Sequence, residues 1–160
     1  MINKIGNVDI NKGWDFCRNL DKKLIRETWN NRINSSGRIC HWIGYGARLG
    51  FNNNIFKGEE ISKGLSLKGN ELWGGEDWNS ILIYRYDKGV ELKNHIDRNI
   101  FEEKTIIVNF CKQLTGFNYN EKIYWLKDGE VIEINNQLPH GVLRVTETRY
   151  SLQFRKIKGV

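Results

Sequence analysis

A His and an Asp stand two positions apart, His95 and Asp97, and a second His, His140, follows later in the chain. Successive side chains of a β-strand point to opposite faces, so residues at this spacing project into the same space. Two imidazoles and one carboxylate can occupy one face of an octahedral Fe(II) ion and leave its other positions open for a co-substrate and dioxygen. We therefore predict a non-haem iron site made of His95, Asp97 and His140.

The C-terminal segment carries the second group of residues that could do chemistry. If residues 149–155 form a strand, one face would carry Arg149, Ser151, Gln153 and Arg155, and the other Tyr150, Leu152 and Phe154. A buried guanidinium needs an anionic partner because its desolvation is costly, and its planar fork suits a carboxylate. Two Arg on one inward face thus predict a small dicarboxylate guest near the metal, which would be 2-oxoglutarate.

The elements that must position these residues are mostly strands. Apolar side chains recur at helical spacing from Trp14 to Trp29, which predicts one helix there, with Asn11 as its candidate cap. The segments rich in β-branched and aromatic residues are 80–86, 104–110, 122–126, 130–134, 141–145 and 148–157. Many short strands after a single helix predict a mainly β protein, a double-stranded β-helix (jelly-roll) barrel with a flanking N-terminal helix.

Length and composition favour one compact unit. The 160 residues are 39% hydrophobic and 28% charged, which is typical of a globular chain and excludes disordered and fibrous classes. We expect a single domain spanning residues 1–160. No apolar run is long enough to span a bilayer, and the first residues lack a secretory signal, so we expect a cytoplasmic monomer without a membrane partner.

Cysteine usage and charge add weaker constraints. Cys17, Cys40 and Cys111 form no C-x-x-C pair, so we interpret them as reduced core thiols and not as zinc ligands. The net charge of +6 favours a polyanionic partner without specifying one, because the basic residues are scattered along the chain. His41 is interpreted as a surface or hydrogen-bonded residue and not as a ligand.

In their order along the chain, these motifs resemble the AlkB-like branch of the Fe(II)- and 2-oxoglutarate-dependent dioxygenases, over roughly residues 38 to 156. The matching parts are RICHWIG at 38–44, similar to the family's substrate-side strand, the run Asn79-x-x-Leu82-x-x-x-Tyr86-x-x-Gly89, the H-x-D at 95–97, His140-Gly141-Val142, and the closing R-x-S-x-x-x-R at 149–155. The resemblance implies iron, 2-oxoglutarate and O2 as cofactors and His95, Asp97 and His140 as iron ligands.

The same resemblance implies roles around the co-substrate. Arg149, Tyr86 and Ser151 would bind the distal carboxylate of 2-oxoglutarate, and Arg155 would lie near its keto-acid end. The family often has Asn where this chain has Tyr84, so the Tyr84 ring either contacts the co-substrate or narrows the pocket.

The substrate side departs from the base-repair members of the family. They usually extend the iron motif to an acidic residue, whereas this chain has Asn99 in that region and Phe101 soon after it. The motif looks more like that of members acting on modified transfer RNA or other substrates. Trp42 could stack on a nucleobase or could equally be a core residue. We expect oxidative hydroxylation or demethylation of a modified nucleobase, in single-stranded DNA or RNA, because a duplex base must first be flipped out.

Two alternatives of another class remain open at this point. The same oxygenase chemistry could act on a protein side chain or a small molecule. A zinc or nickel site with the same three ligands could also serve a binding or hydrolytic barrel, but that reading leaves Arg149 and Arg155 unexplained.

Overall fold

The structure, a computed structural model, describes residues 2–34, 36–50, 52–61 and 78–160. These residues form two main β-sheets, a two-stranded hairpin, one α-helix and a short 3-10 turn. The major sheet has eight strands in the order β1-β12-β9-β14-β7-β5-β2, with β6 paired to β5. Its strands are β1 (Asn3–Asn7), β2 (Ile25–Arg26), β5 (Ile39–Arg48), β6 (Asn54–Lys57), β7 (Ser80–Tyr86), β9 (Lys104–Cys111), β12 (Glu130–Asn135) and β14 (Arg149–Arg155).

The minor sheet has four strands in the order β11-β10-β13-β8. Its members are β8 (Leu92–His95), β10 (Thr115–Tyr119), β11 (Lys122–Leu126) and β13 (His140–Val142), and a separate hairpin joins β3 (Thr28–Trp29) to β4 (Arg32–Ile33). This arrangement confirms the predicted jelly roll, a double-stranded β-helix. In the described residues its sheets are two separately hydrogen-bonded layers and not one continuous ring.

Helix α1 (Ile10–Asn19) is shorter and earlier than the predicted helix from Trp14 to Trp29. Its cap is Asp9, which accepts a hydrogen bond from the Lys12 backbone N–H at 3.0 Å, and not Asn11. After the helix, a 3-10 turn and the short strands β2 and β3 take up the rest of the predicted span. Asp21 fixes the turn, since its carboxylate accepts hydrogen bonds from Tyr150 and Arg85, and such tertiary contacts outweigh helical spacing.

The strand predictions differ from the structure mainly at their ends. Those for 80–86 and 122–126 match β7 and β11, and those for 104–110 and 130–134 each fall one residue short of β9 and β12. The segment predicted at 141–145 begins one residue earlier and ends at Val142, because the chain then leaves the sheet. The last strand is Arg149–Arg155 and not 148–157.

Two apolar clusters explain how the layers hold together. One packs α1 against the major sheet and includes Trp14, Cys17, Tyr150, Leu152 and Phe154. The other lies between the two sheets and includes Leu82, Ile107, Phe117 and Leu126. Strand β14 separates them, so one of its faces packs under the helix and the other faces the space between the sheets, as its alternation predicted.

The cysteines lie inside these layers. Cys17, Cys40 and Cys111 are buried free thiols, as predicted. Burial raises the pKa of Cys40 to about 12, so this thiol stays protonated and unreactive near neutral pH. No helix in the described residues is long and apolar enough to cross a bilayer.

Candidate metal and co-substrate site

Two neighbouring strands of the minor sheet bring the two predicted His ligands together. His95 is the last residue of β8 and stands opposite His140, the first residue of β13. Asp97 lies beyond the end of β8, which corrects the expectation that it shares a strand with His95. Its position is held by the loop before β13, because its backbone N–H donates to the Asn136 carbonyl at 3.0 Å and its carbonyl accepts from Gln137.

The three side chains converge on one point. Oδ1 of Asp97 lies 3.2 Å from Nε2 of His95 and 3.1 Å from Nε2 of His140. Each imidazole places its Nδ1 against a backbone carbonyl two residues earlier, that of Lys93 at 3.0 Å and that of Leu138 at 2.8 Å. A carbonyl can only accept, so each Nδ1 carries a hydrogen, which leaves Nε2 of each ring as the atom that can bind a cation beside Asp97.

The other oxygen of Asp97, Oδ2, accepts a hydrogen bond from Arg155. Nη1 of Arg155 donates to Oδ2 of Asp97 at 2.6 Å, and both side chains are buried. Burial alone would raise the pKa of Asp97, but Arg155 and the two imidazoles lower it well below its usual range. Asp97 is therefore ionised, with Oδ1 left as its single free oxygen.

This geometry fits a divalent cation. Two adjacent ligands of an octahedral ion, each about 2.1 Å from the metal, stand about 3.0 Å from each other. The separations of Oδ1 of Asp97 from the two imidazole nitrogens, 3.1 and 3.2 Å, are close to that value. Two imidazole nitrogens and one carboxylate oxygen with an open side are the donor set that suits non-haem Fe(II).

A cavity of about 680 Å³ between the two sheets joins this cluster to the predicted co-substrate residues. The predicted residues that line it are His95, Asp97, His140, Tyr84, Tyr86, Arg149, Ser151, Arg155 and Trp42. Asn99 is exposed in the turn after Asp97 and is not part of the lining, whereas its neighbour Arg98 is. The structure thus brings together all the predicted site residues except Asn99.

Arg149 lies deepest among the charged residues of the cavity, with 1% of its surface exposed. Its Nε donates to Oδ1 of Asn109 at 2.7 Å, and its guanidinium lies 4.8 Å from the Tyr86 ring centre. Its Nη1 is buried with no hydrogen-bond partner in the described residues. Burial lowers the pKa of Arg149, which reflects a cation short of anionic neighbours. An anionic guest would supply the missing partner.

Gln153 lies on the site face of β14, and no role for it was predicted from the sequence. Its Oε1 accepts from Nε of Arg155 at 3.0 Å, and its Nε2 donates to Oγ of Ser151 at 3.1 Å, so it orients two of the predicted co-substrate residues. The i, i+2 alternation of β14 could have identified this contact. Glu27 and Arg38, which also line the cavity, had no such signal, because their contact joins segments that only the fold brings together.

The cavity wall near the metal cluster is aromatic. Trp42 stacks on Phe101 with ring centres 6.3 Å apart and planes 5° apart, and Trp42 is only partly buried. Trp29 also lines the cavity, and the Arg98 guanidinium lies 5.2 Å from its ring centre. His41 stands outside the metal cluster, with Nε2 3.4 Å from the Glu59 carboxylate, in keeping with its non-ligand interpretation.

Gly141 permits the close approach of β13 and β8. A Cβ at this position would lie 2.6 Å from the Leu92 carbonyl oxygen and 2.6 Å from Oδ1 of Asn94, both on the strand that ends at His95. We expect Gly141→Ala to cost about 1–3 kcal/mol of folding stability and to push the strands apart. Displacement of His140 from His95 should weaken Co(II) binding about tenfold, the scale on which loss of ligand support acts.

Thermal unfolding and Co(II) titration would measure these two effects. Gly6→Ala, in β1, is the matched control, because a Cβ there meets no atom within 4 Å. Unchanged Co(II) affinity in Gly141→Ala would show that the strand spacing at Gly141 does not set the ligand geometry.

No protein-family model and no curated protein sequence matches the chain. Solved structures do. A prolyl-4-hydroxylase from Pseudomonas putida superposes with a TM-score of 0.63 at 13% identity, covering 99% of this chain and 92% of that one. OsALKBH1 superposes with a TM-score of 0.60 at 15% identity, covering 92% and 94%. A 2OG-Fe(II) oxygenase-family oxidoreductase from Burkholderia pseudomallei gives 0.52 at 16%, covering 74% and 65%. The chain therefore shares the fold of these three structures.

Proposed function

We propose that this protein is an Fe(II)- and 2-oxoglutarate-dependent dioxygenase. The observation that carries the proposal is the convergence of three lone-pair donors, Nε2 of His95, Nε2 of His140 and Oδ1 of Asp97. Three such atoms on one side of a point can bind a single divalent cation and leave its opposite side open. A zinc or nickel site with the same ligands is the weaker alternative, because it gives no role to the unpaired cation Arg149.

The co-substrate assignment rests on Arg149 and its neighbours. Three neighbouring groups on β14 and β7 can hold a carboxylate: the buried guanidinium of Arg149, whose Nη1 is free, the Tyr86 hydroxyl and the Ser151 hydroxyl. Tyr86 stands opposite Arg149 across the strand pair, and Ser151 stands opposite Tyr84. A dicarboxylate anchored there by one end would extend its other end towards Arg155 and the metal cluster.

Iron bound at this site would couple reduction of dioxygen to decarboxylation of 2-oxoglutarate, with one oxygen atom inserted into a substrate C–H bond and the other retained in succinate. The chain's own residues position and enclose the reactants. Arg155 donates a hydrogen bond to Oδ2 of Asp97, so Asp97 would bind the metal through Oδ1 alone. The remaining coordination positions of the metal would then stay open for co-substrate and dioxygen. Leu82, Ile107, Phe117 and Val142 line the cavity between the sheets with apolar surface, which limits the entry of water.

The substrate that we propose is a modified nucleobase in single-stranded nucleic acid. The aromatic wall of Trp42 on Phe101 offers a flat surface beside the metal cluster, and stacking on such a surface suits any base. The +6 net charge favours a polyanion. The resemblance of the sequence motifs to the AlkB-like branch implies the same substrate class.

A second candidate is hydroxylation of a protein side chain. The prolyl-4-hydroxylase from Pseudomonas putida covers 99% of this chain, the fullest overlap among the structures described above. An apolar and aromatic cavity wall could also hold a proline ring. The two candidates differ in whether oligonucleotides or peptides stimulate 2-oxoglutarate turnover.

The test is succinate production by the purified protein under air with Fe(II), in three arms: no substrate, methylated single-stranded oligonucleotides, and proline-containing peptides. Succinate formed in any arm supports the oxygenase assignment, and its absence in all arms contradicts it. Stimulation by oligonucleotides alone supports the nucleobase. Oligonucleotide affinity should also fall as salt rises, because phosphate contacts release counterions. Stimulation by peptides alone would replace the nucleobase with the protein substrate.

Trp42→Ala tests the stacking surface. If Trp42 stacks on a base, its removal should weaken oligonucleotide binding by about 1–3 kcal/mol, the worth of one base stacked on an aromatic ring. Basal 2-oxoglutarate decarboxylation without substrate should persist, because the Trp42 ring is not among the groups that contact the metal cluster or Arg149. Fluorescence anisotropy and succinate assays measure the two effects.

The matched control is Trp125→Ala, which removes an exposed Trp on edge strand β11. It should leave both oligonucleotide binding and decarboxylation unchanged. If Trp42→Ala loses both activities together, Trp42 is a packing residue and not a substrate-binding one.

A further inference from the structure

A buried ion pair lies at the wall of the cavity, away from the metal cluster. The guanidinium of Arg38 donates to both carboxylate oxygens of Glu27, each at 2.7 Å from Nη2, and both residues are 7% exposed. Tyr84 adds to the pair, since its hydroxyl donates to Oε1 of Glu27 at 2.8 Å and its ring lies 3.8 Å from the Arg38 guanidinium carbon. The proton of the Tyr84 hydroxyl is therefore used in the hydrogen bond to Glu27.

In the described part of the chain, the Arg38 guanidinium makes one hydrogen bond outside this pair, and it leads to the co-substrate residues. Its Nη1 donates to the Tyr86 hydroxyl oxygen at 3.2 Å. Tyr86 is 1% exposed and stands opposite Arg149 across the pair of β7 and β14. The hydroxyl oxygen thus already accepts a hydrogen bond, and its own proton has no acceptor among the described residues.

When a hydroxyl oxygen accepts a hydrogen bond from a fixed donor, the directions in which its own O–H can point are restricted. Burial alone would lower the pKa of Arg38, but Tyr84, Tyr86 and Glu27 raise it well above its usual range, so the donor is permanently charged. Glu27 neutralises that charge locally and occupies both Nε and Nη2 of Arg38. The remaining nitrogen of the Arg38 guanidinium, Nη1, donates to the Tyr86 hydroxyl.

We propose that Arg38 is a positioning residue which holds the Tyr86 hydroxyl so that its proton points at the distal carboxylate of the acid co-substrate, beside Nη1 of Arg149. This inference rests on the proposed function. Glu27 and Tyr84 keep Arg38 in place and prevent it from binding the carboxylate itself. Tyr84 then serves the co-substrate site indirectly, through its hydrogen bond to Glu27.

The test is a cycle of variants whose readout is equilibrium binding of 2-oxoglutarate, measured by calorimetry on the Mn(II)-loaded protein without oxygen. Arg38→Met alone would leave Glu27 as an unpaired buried charge, so it is combined with Glu27→Gln, which preserves an acceptor for Tyr84. The second arm is Tyr86→Phe, and the third combines all three changes. Arg85→Met is the matched control, because Arg85 lies between Tyr84 and Tyr86 but pairs with Asp21 and Asp87 instead.

We expect Tyr86→Phe and Glu27→Gln/Arg38→Met each to weaken 2-oxoglutarate binding, by about tenfold for the loss of one hydrogen bond to a charged group. The triple variant should bind no more weakly than Tyr86→Phe alone, because Arg38 acts through the hydroxyl that this variant lacks. Mn(II) affinity and the Arg85→Met control should match the parent.

Additive losses in the triple variant would overturn the proposal, since they would mean that Arg38 touches the carboxylate directly. Unchanged affinity in Glu27→Gln/Arg38→Met would overturn it too, by showing that Tyr86 needs no support. In both cases binding by the parent protein leaves the proposed function intact. A parent protein that binds Mn(II) but no 2-oxoglutarate would overturn both.

Discussion

Asp97→Asn is expected to abolish turnover while leaving the protein folded. The amide can keep one oxygen as the acceptor for Arg155 and turn its NH2 group towards Nε2 of His95 and Nε2 of His140. The NH2 group would then compete with a metal for the imidazole nitrogens, and the neutral amide loses the charge that helps to hold a divalent ion. Metal affinity should fall by more than the roughly 10–100-fold typical of lost ligand support.

Co(II) titration and succinate production would measure this loss, and His95→Ala and His140→Ala should behave alike because each removes one of the three converging atoms. His41→Ala is the matched control, since it removes the third His of the chain from outside the cluster. Turnover retained in all three ligand variants would overturn the iron assignment. Loss of turnover in His41→Ala as well would point to a general effect on folding.

The metal cluster could be predicted from sequence because its chemistry depends on residue types that are rare in this chain. Only three His are present, and two of them fall in the order that the ligand set requires relative to Asp97. The strand assumption that linked His95 to Asp97 was wrong in detail, since β8 ends at His95. Asp97 still reaches the same point, because its backbone is tied to Asn136 and Gln137 in the loop before β13.

The alternation of β14 was equally informative, and for a physical reason. Both faces of this strand are buried, so its polar side chains must face a cavity with partners for them. Period-2 alternation of Arg, Ser, Gln and Arg against Tyr, Leu and Phe therefore predicted both the core face and the site face.

Other features had no local signal. Helical spacing continues through Leu20 and Leu24, yet α1 ends at Asn19 because Asp21 is held by Tyr150 and Arg85, which lie far away in sequence. The Glu27 and Arg38 pair forms because Ile25 and Arg26 of β2 pair with Cys40 and Ile39 of β5, and β2, with two residues, is too short to predict. Contacts between residues far apart in sequence determine where such elements begin and end, and these contacts cannot be recognised in a single sequence.

Arg149→Lys is expected to give the second large effect, a weaker binding of 2-oxoglutarate. The surroundings of Arg149 require a side chain with two separate N–H donors. Its Nε is used by Asn109 at 2.7 Å, while Nη1 remains free for a carboxylate. A Lys ammonium is a compact point charge on a flexible stem, so it cannot hold Asn109 and present a second, parallel donor at the position of Nη1. Burial also lowers the pKa of an ammonium more easily than that of a guanidinium, which would weaken the charge offered to the guest.

We therefore expect Arg149→Lys to raise the KM for 2-oxoglutarate by at least about tenfold, the loss of one charge-assisted hydrogen bond, with a smaller effect on kcat at saturation. Mn(II) affinity should be unchanged, because Arg149 contacts Asn109 and Tyr86 and none of the three metal-cluster residues. Arg85→Lys is the matched control, since it makes the same exchange on the outward-facing neighbour of Tyr86. A KM equal to that of the parent would mean that Arg149 serves the fold through Asn109, and the carboxylate anchor would have to be sought elsewhere in the cavity.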